Sequence, residues 1–228
     1  KQAEAEQAAG FILDLRGNGG GSLEEAISLA GFFFPEGPVV QVRKTNGQVD
    51  KRYDPDKGVL YDGPLVILVD RLSASASEIV AGALKNNSRA FVIGTKSFGK
   101  GSVQRLFPLQ GGSSLKLTVA QYLTPGRYSI QALGIIPDIH VYPSYVVKPK
   151  IEKGEIVEEE VLNLREDVPF SEEKLSSHLK NRFTKNQQKP LYKYTFLSEK
   201  KRKYESEFTS KIEPEDYLLN ISAKLLAN

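Results

Sequence analysis

The chain has 228 residues, with 31 basic and 28 acidic side chains and no Cys, Met or Trp. A composition of 40% hydrophobic and 26% charged residues suits one large globular domain, or a domain with an appendage. A net charge of +3 is too small to argue for nucleic acid or an anionic membrane, and the lack of Cys excludes disulfides, thiolate metal sites and a Cys nucleophile.

Taken in chain order, Phe11–Leu15 is the first expected strand, short, apolar and bounded by turn residues. Leu23–Phe34 has helical spacing with Ser22 as N-cap. Val39–Arg43 and Val49–Tyr53 flank Thr45-Asn46-Gly47 and predict a hairpin. Leu65–Val69 is continuously apolar, as a strand buried on both faces should be. Ala74–Asn86 is a second helix, with Ile79, Ala83 and Leu84 on one face, and Ala90–Ile93 a further strand. Val103–Leu106 and Leu115–Tyr122 flank Gly111-Gly112 as a second hairpin. This order predicts an α/β fold: a mostly parallel sheet with covering helices, plus β-hairpins.

The grammar then changes. Eighteen of the 19 glycines precede residue 146. Residues 1–145 are expected to form the main domain and residues 146–228 a charged, mostly helical C-terminal extension, with a linker near Pro143–Pro149. Helices are expected over Ser171–Gln188, Leu191–Phe208 and Glu215–Leu226. No apolar run approaches the 18 residues of a membrane span. The chain begins at Lys1 and contains no Met, so it is expected to be a processed form or an excised piece of a longer protein.

Three segments carry candidate chemistry. Asp14-Leu15-Arg16-Gly17-Asn18-Gly19-Gly20-Gly21 joins a strand to a helix, and its glycines let backbone N–H groups converge on an anion. A tight turn is the alternative; the dinucleotide-binding spacing fails. Ser73-Ala74-Ser75-Ala76-Ser77-Glu78 also joins a strand to a helix, where a serine can be either an N-cap or a nucleophile at the positive end of the helix dipole. Gly94-Thr95-Lys96-Ser97-Phe98-Gly99-Lys100-Gly101 approaches a phosphate-binding loop. It has Gly101 where a hydroxyl is needed, and no helix is expected to follow. The two histidines, His140 and His178, lie far along the chain from the serine-rich turn, so a metal site is not expected. A serine nucleophile would more plausibly take a lysine as its base.

Together these segments resemble the carboxyl-terminal processing, or tail-specific, proteases, and the likeness extends to Gly134-Ile135-Ile136-Pro137-Asp138-Ile139. It covers about residues 9–143. The resemblance implies a core like those of Clp protease and crotonase, and a serine endopeptidase acting near the C-termini of proteins. Ser75 falls on the family's nucleophile, Lys100 on its general base, and Gln104 on the residue that orients the lysine. The resemblance implies no cofactor, and an oxyanion hole formed by the Ala76 N–H and a backbone N–H of the Gly20/Gly21 turn. Neutral Lys100 would be favoured by burial among Ala74, Ala76, Phe98, Gly99 and Gly101, because desolvation penalises an ammonium.

Asn86 stands where some members carry an acid. The expected partners are protein or peptide substrates with accessible C-terminal tails, not nucleic acid. No PDZ domain is visible in the chain, and one is expected upstream in the parent. The location implied by the resemblance is periplasmic or cell-envelope. The competing reading is a non-catalytic ligand- or peptide-binding module of the same fold.

Overall fold

A computed structural model describes residues 8–152, 155–163, 171, 190–197 and 217–227. Among the described residues, two sheets and three α-helices carry the fold. The first sheet has strand order β1 (Phe11–Asp14), β4 (Leu65–Val69), β5 (Phe91–Gly94), β9 (Ile139–Glu152) and β10 (Glu155–Asn163). β11 (Tyr192–Leu197) also pairs with β9. All these pairs are parallel except β9 with β10. The second sheet is antiparallel, in the order β3 (Val49–Arg52), β2 (Val40–Lys44), β7 (Ser114–Thr124) and β6 (Ser102–Pro108). The two-residue β8 (Tyr128–Ser129) pairs with β7.

β4 shows why the sequence chooses this arrangement. All five residues are buried, and successive side chains leave opposite faces. Leu65, Ile67 and Val69 join a core under helices α1 (Leu23–Gly31) and α2 (Ala76–Asn86). Val66 and Leu68 join Ile93, Ile139 and Val141 on the other face. Leu218, Ile221 and Leu226 of helix α3 (Tyr217–Leu226) pack against that second cluster. A run apolar at every position is thus the signature of a strand covered on both sides.

Helix α2 is buried from Ala76 to Leu84, because it lies between the parallel sheet and the end of β7. Gly82 permits that approach: a Cβ there would come within 2.3 Å of Thr124 Cγ2. At the helix's far end Lys85 Nζ bonds Asp138 Oδ1 at 2.8 Å and the Ile136 carbonyl at 2.6 Å, in a mostly buried pair. Asp138 Oδ2 accepts from Val92 N. The Gly134–Ile139 segment is therefore a latch between α2 and β5.

The strands and helices expected before residue 125 form, with no end shifted by more than three residues. Ser22 caps α1 by accepting from Glu25 N. The later part differs. β9 runs unbroken through the expected linker at Pro143–Pro149. β5 stops pairing with it at His140, so Pro143 lies where no partner on that side needs its missing amide. The helix expected over Leu191–Phe208 is contradicted at Tyr192–Leu197, which is strand. Its aromatic and β-branched residues, Tyr192, Tyr194, Thr195 and Phe196, suit a pleated edge beside β9 better than a helix. The helix expected at Glu215–Leu226 forms over Tyr217–Leu226. The expected helix at Ser171–Gln188 lies outside the described residues, apart from Ser171.

Candidate active site

The three glycine- and serine-rich segments converge at one end of the parallel sheet. β1 and β4 are neighbours in register, so the loops that follow them leave side by side. The loops are stitched together through backbone groups. Ala74 N donates to the Asn18 carbonyl, and Gly17 N to Asp70 Oδ1. Asp70 Oδ1 also accepts from Leu72 N and Ser73 N, which shapes the turn after β4.

The three serines of this turn have different roles. Ser73 Oγ is buried and donates to the Leu15 carbonyl at 2.8 Å. Ser77 Oγ donates to the Asn18 carbonyl at 3.0 Å. Both hold loop to loop. Ser75 is half-buried, and its hydroxyl proton is committed to none of the described groups. Its backbone lies at φ 56° and ψ −113°, a conformation that costs a non-glycine residue about 1–3 kcal/mol. A serine held in such a bend between strand and helix N-terminus is a nucleophile elbow in shape.

Glu78 holds this bend. It sits in the first turn of α2, is 0% exposed, and its carboxylate accepts four hydrogen bonds. Oε2 takes the amides of Ser75 and Lys100, each at 2.8 Å. Oε1 takes Ser97 Oγ at 2.6 Å and Gly99 N at 2.7 Å. One oxygen therefore ties the backbone of Ser75 to that of Lys100, no farther apart than twice 2.8 Å. Desolvation by burial pushes the Glu78 carboxyl up to about 7, against the pull of these four donors.

The segment that approached a phosphate loop thus has another use. Residues 95–101 wrap around a buried carboxylate and feed directly into β6, with no helix after them. Lys96 makes no such bond to Glu78, whereas Lys100 does through its amide. Lys100 itself is half-buried, between buried Gly99 and Gly101.

The glycine turn faces Ser75. Gly20 has φ +104°, and a Cβ there would lie 2.7 Å from the Ala74 carbonyl oxygen, 2.8 Å from Ala76 N and 2.9 Å from Ser75 Cβ. Only glycine allows this approach. Gly20 N donates to Asn18 Oδ1 at 2.9 Å, so its amide is already engaged. The amides of Gly21 and Ala76 take no part in the described hydrogen bonds. Of the expected oxyanion-hole residues, the structure brings Gly20 and Ala76 to Ser75, with Gly21 next in the chain, but it commits Gly20's donor elsewhere.

Gln104 lies on β6 just past a bulge, exposed, and makes no hydrogen bond to Lys100. Asn86, at the far end of α2, donates to Thr124 Oγ1 and to the Pro125 carbonyl, a packing role away from Ser75. His140 is buried in β9, and His178 lies outside the described residues. Among the described residues no group of three His, Cys, Asp or Glu side chains could hold a metal, and no helix is long and apolar enough to cross a membrane.

Sequence reasoning gave no role to Glu78 or to the Asn18 side chain. The signal for Glu78 was present as the Ser75-Ala76-Ser77-Glu78 spacing, that of a capping box. Nothing local says that its carboxylate also reaches a loop 19 to 22 residues later.

A strand-to-helix serine elbow, facing a glycine turn and tethered to a lysine loop, has the layout of a serine hydrolase. The sequence profile of Peptidase family S41 matches residues 1–141, and the chain belongs to that family. It is 43% identical to the carboxy-terminal-processing protease of Bartonella bacilliformis over 174 residues, which is 76% of this chain and 37% of that protein. It is 38% identical to the tail-specific protease of Haemophilus influenzae, over 60% of this chain and 21% of that one. A solved structure of the photosystem II D1 C-terminal processing protease superposes with a TM-score of 0.55 at 35% identity, covering 61% of this chain and 36% of that one. A putative peptidase of Parabacteroides merdae shares the fold, with a TM-score of 0.52 at 22% identity over 61% of this chain and 47% of its own. The chain spans about a third of the length of the first curated relatives it matches.

Proposed function

We propose that this chain carries the catalytic centre of a serine endopeptidase that cleaves proteins near or from their C-termini. The carrying observation is the Glu78 clamp, which supports a pairing of Ser75 as nucleophile with Lys100 as general base. In this reading Ser75 Oγ attacks the scissile carbonyl carbon, and its proton passes to Lys100 Nζ. The amides of Ala76 and Gly21 hold the oxyanion that forms. The C–N bond then breaks, Lys100 returns the proton to the leaving amine, and an acyl ester remains on Ser75. Water attacks that ester with Lys100 again as base, which frees the acid and restores the serine hydroxyl. Gln104 would assist only if its exposed side chain turned towards Lys100 in the substrate complex. Substrates are protein chains with accessible C-terminal tails, and the family likeness favours a cell-envelope or other extracytoplasmic setting.

The test is degradation of a protein with an apolar C-terminal tail by the full-length protein that carries this chain. Alanine at Ser75 or at Lys100 should lower turnover by at least about 10⁴-fold, the scale seen when a catalytic dyad or triad member is removed. Intact-mass measurement should find an acyl adduct on the wild type alone. Full activity in either variant would sink the assignment.

A further inference from the structure

The lysine loop is held by a second buried polar side chain besides Glu78. Gln131 is fully buried, in the turn that follows β8, and its Oε1 accepts from Gly101 N at 3.1 Å. The backbone of this turn packs directly on the loop. A Cβ on Gly101 would come within 2.5 Å of Gln131 N, and one on Gly99 within 3.2 Å of the Ala132 carbonyl carbon. Ala132 N donates to the Gly99 carbonyl at 2.9 Å. Ala132 itself sits at φ 63°, a left-handed conformation that a residue with a side chain rarely adopts, so its surroundings impose it.

Backbone geometry says what this contact does. Lys100 N belongs to the peptide plane between residues 99 and 100, and Gly101 N to the plane between residues 100 and 101. Each plane is rigid, so only φ and ψ of Lys100 relate one to the other. Glu78 Oε2 anchors the first plane through Lys100 N. Gln131 Oε1 anchors the second through Gly101 N, and among the described hydrogen bonds it is the one that does so. With both planes held, the Cα–Cβ bond of Lys100 has one direction. With Glu78 alone, rotation about the two bonds at the Lys100 Cα swings the side chain away. Both acceptors are fully buried, so water does not compete for either amide. The neutral amide of Gln131 supplies its oxygen without burying a second charge.

We infer that Gln131 is a positioning residue for the reaction: it aims Lys100 at Ser75 by fixing the peptide plane that follows the lysine. Its influence on Ser75 passes through Lys100. This assignment rests on the reading of Lys100 as general base.

The test is a double-mutant cycle in the full-length protein, with labelling of Ser75 by an alkyl fluorophosphonate followed by intact mass. Gln131→Met keeps the length of the side chain and removes the acceptor. With Lys100 in place it should slow labelling at least about tenfold, within the cost of misplacing a reacting group by about 1 Å. In the Lys100→Ala background the same change should slow the residual labelling less than about twofold, because the group it aims is already gone. Cleavage of a protein with an apolar C-terminal tail should show a lower kcat at unchanged KM. Should Gln131→Met fail to fold, Gln131→Asn decides, since it withdraws the acceptor by one carbon and should give the same pattern. Wild-type labelling in a folded variant, losses that multiply in the double variant, or a raised KM at unchanged kcat would overturn the positioning role while leaving Ser75 and Lys100 standing. Labelling of Lys100→Ala as fast as the wild type would instead remove the general base, and the role of Gln131 with it.

Discussion

Substituting Glu78 by Gln should separate stability from activity. The carboxyl is fully buried and its pKa in the fold is about 7, against 4.5 in a solvated chain. Between those values the folded protein keeps a proton that the unfolded chain has lost. Stability linked to this group is therefore fully present below pH 4.5 and is lost as pH rises through 7. At about 1.4 kcal/mol per pH unit, the wild type should lose roughly 3 kcal/mol relative to the Gln variant across this window. For a chain of this size that is roughly 6–12 °C in Tm. The other carboxyl groups titrate in both proteins, so the difference between the two curves isolates Glu78.

Activity should move the other way. An amide –NH2 cannot accept from a backbone N–H, so one of the two oxygen positions loses its role. Placing –NH2 at the Oε1 position sacrifices only Gly99 N, because Ser97 Oγ can reverse its bond. Placing it at Oε2 sacrifices both Ser75 N and Lys100 N. Even the milder choice loosens the loop that carries Lys100, and Ser75 labelling should fall at least about tenfold. The assay is denaturant unfolding of both proteins from pH 4.5 to 8, with fluorophosphonate labelling at pH 8. A wild-type-to-Gln stability gap that stays constant with pH would refute the argument, because it would mean that Glu78 is not held against desolvation. The same clamp predicts that wild-type labelling declines below pH 7, as protonation removes one acceptor site from the carboxylate.

Two further changes probe the site's frame. Gly20→Ala places a Cβ against the Ala74 carbonyl and Ala76 N at positive φ, so Ser75 labelling should fall by about 10²-fold or more while circular dichroism stays native-like. Asn86→Asp leaves the Pro125 carbonyl without its donor, since a carboxylate cannot donate; thermal unfolding should register a loss of about 1–3 kcal/mol at neutral pH. An unchanged Tm would refute the packing role given to Asn86.

The features legible in one dimension are local. The all-apolar Leu65–Val69, short and bounded by turn residues, read as a strand covered on both faces. Ser22 announced its helix, and the glycine and serine turns announced a site at strand ends. The family likeness singled out Ser75 and Lys100, because their order and spacing survive in one dimension. The second half was harder. Tyr192–Leu197 alternates with period two, yet its charged neighbours suggested a helix, and only the edge of β9 made the strand worthwhile. The tertiary structure alone decided which groups are committed. It showed that Gly20's amide is already bound by Asn18, that Ser73 and Ser77 serve as ties, and that a buried Glu78 joins the loop of Ser75 to that of Lys100. Those choices depend on hydrogen bonds between segments up to 59 residues apart. Spacing along a chain cannot report them, because a donor's fate is settled by whichever acceptor folding brings beside it.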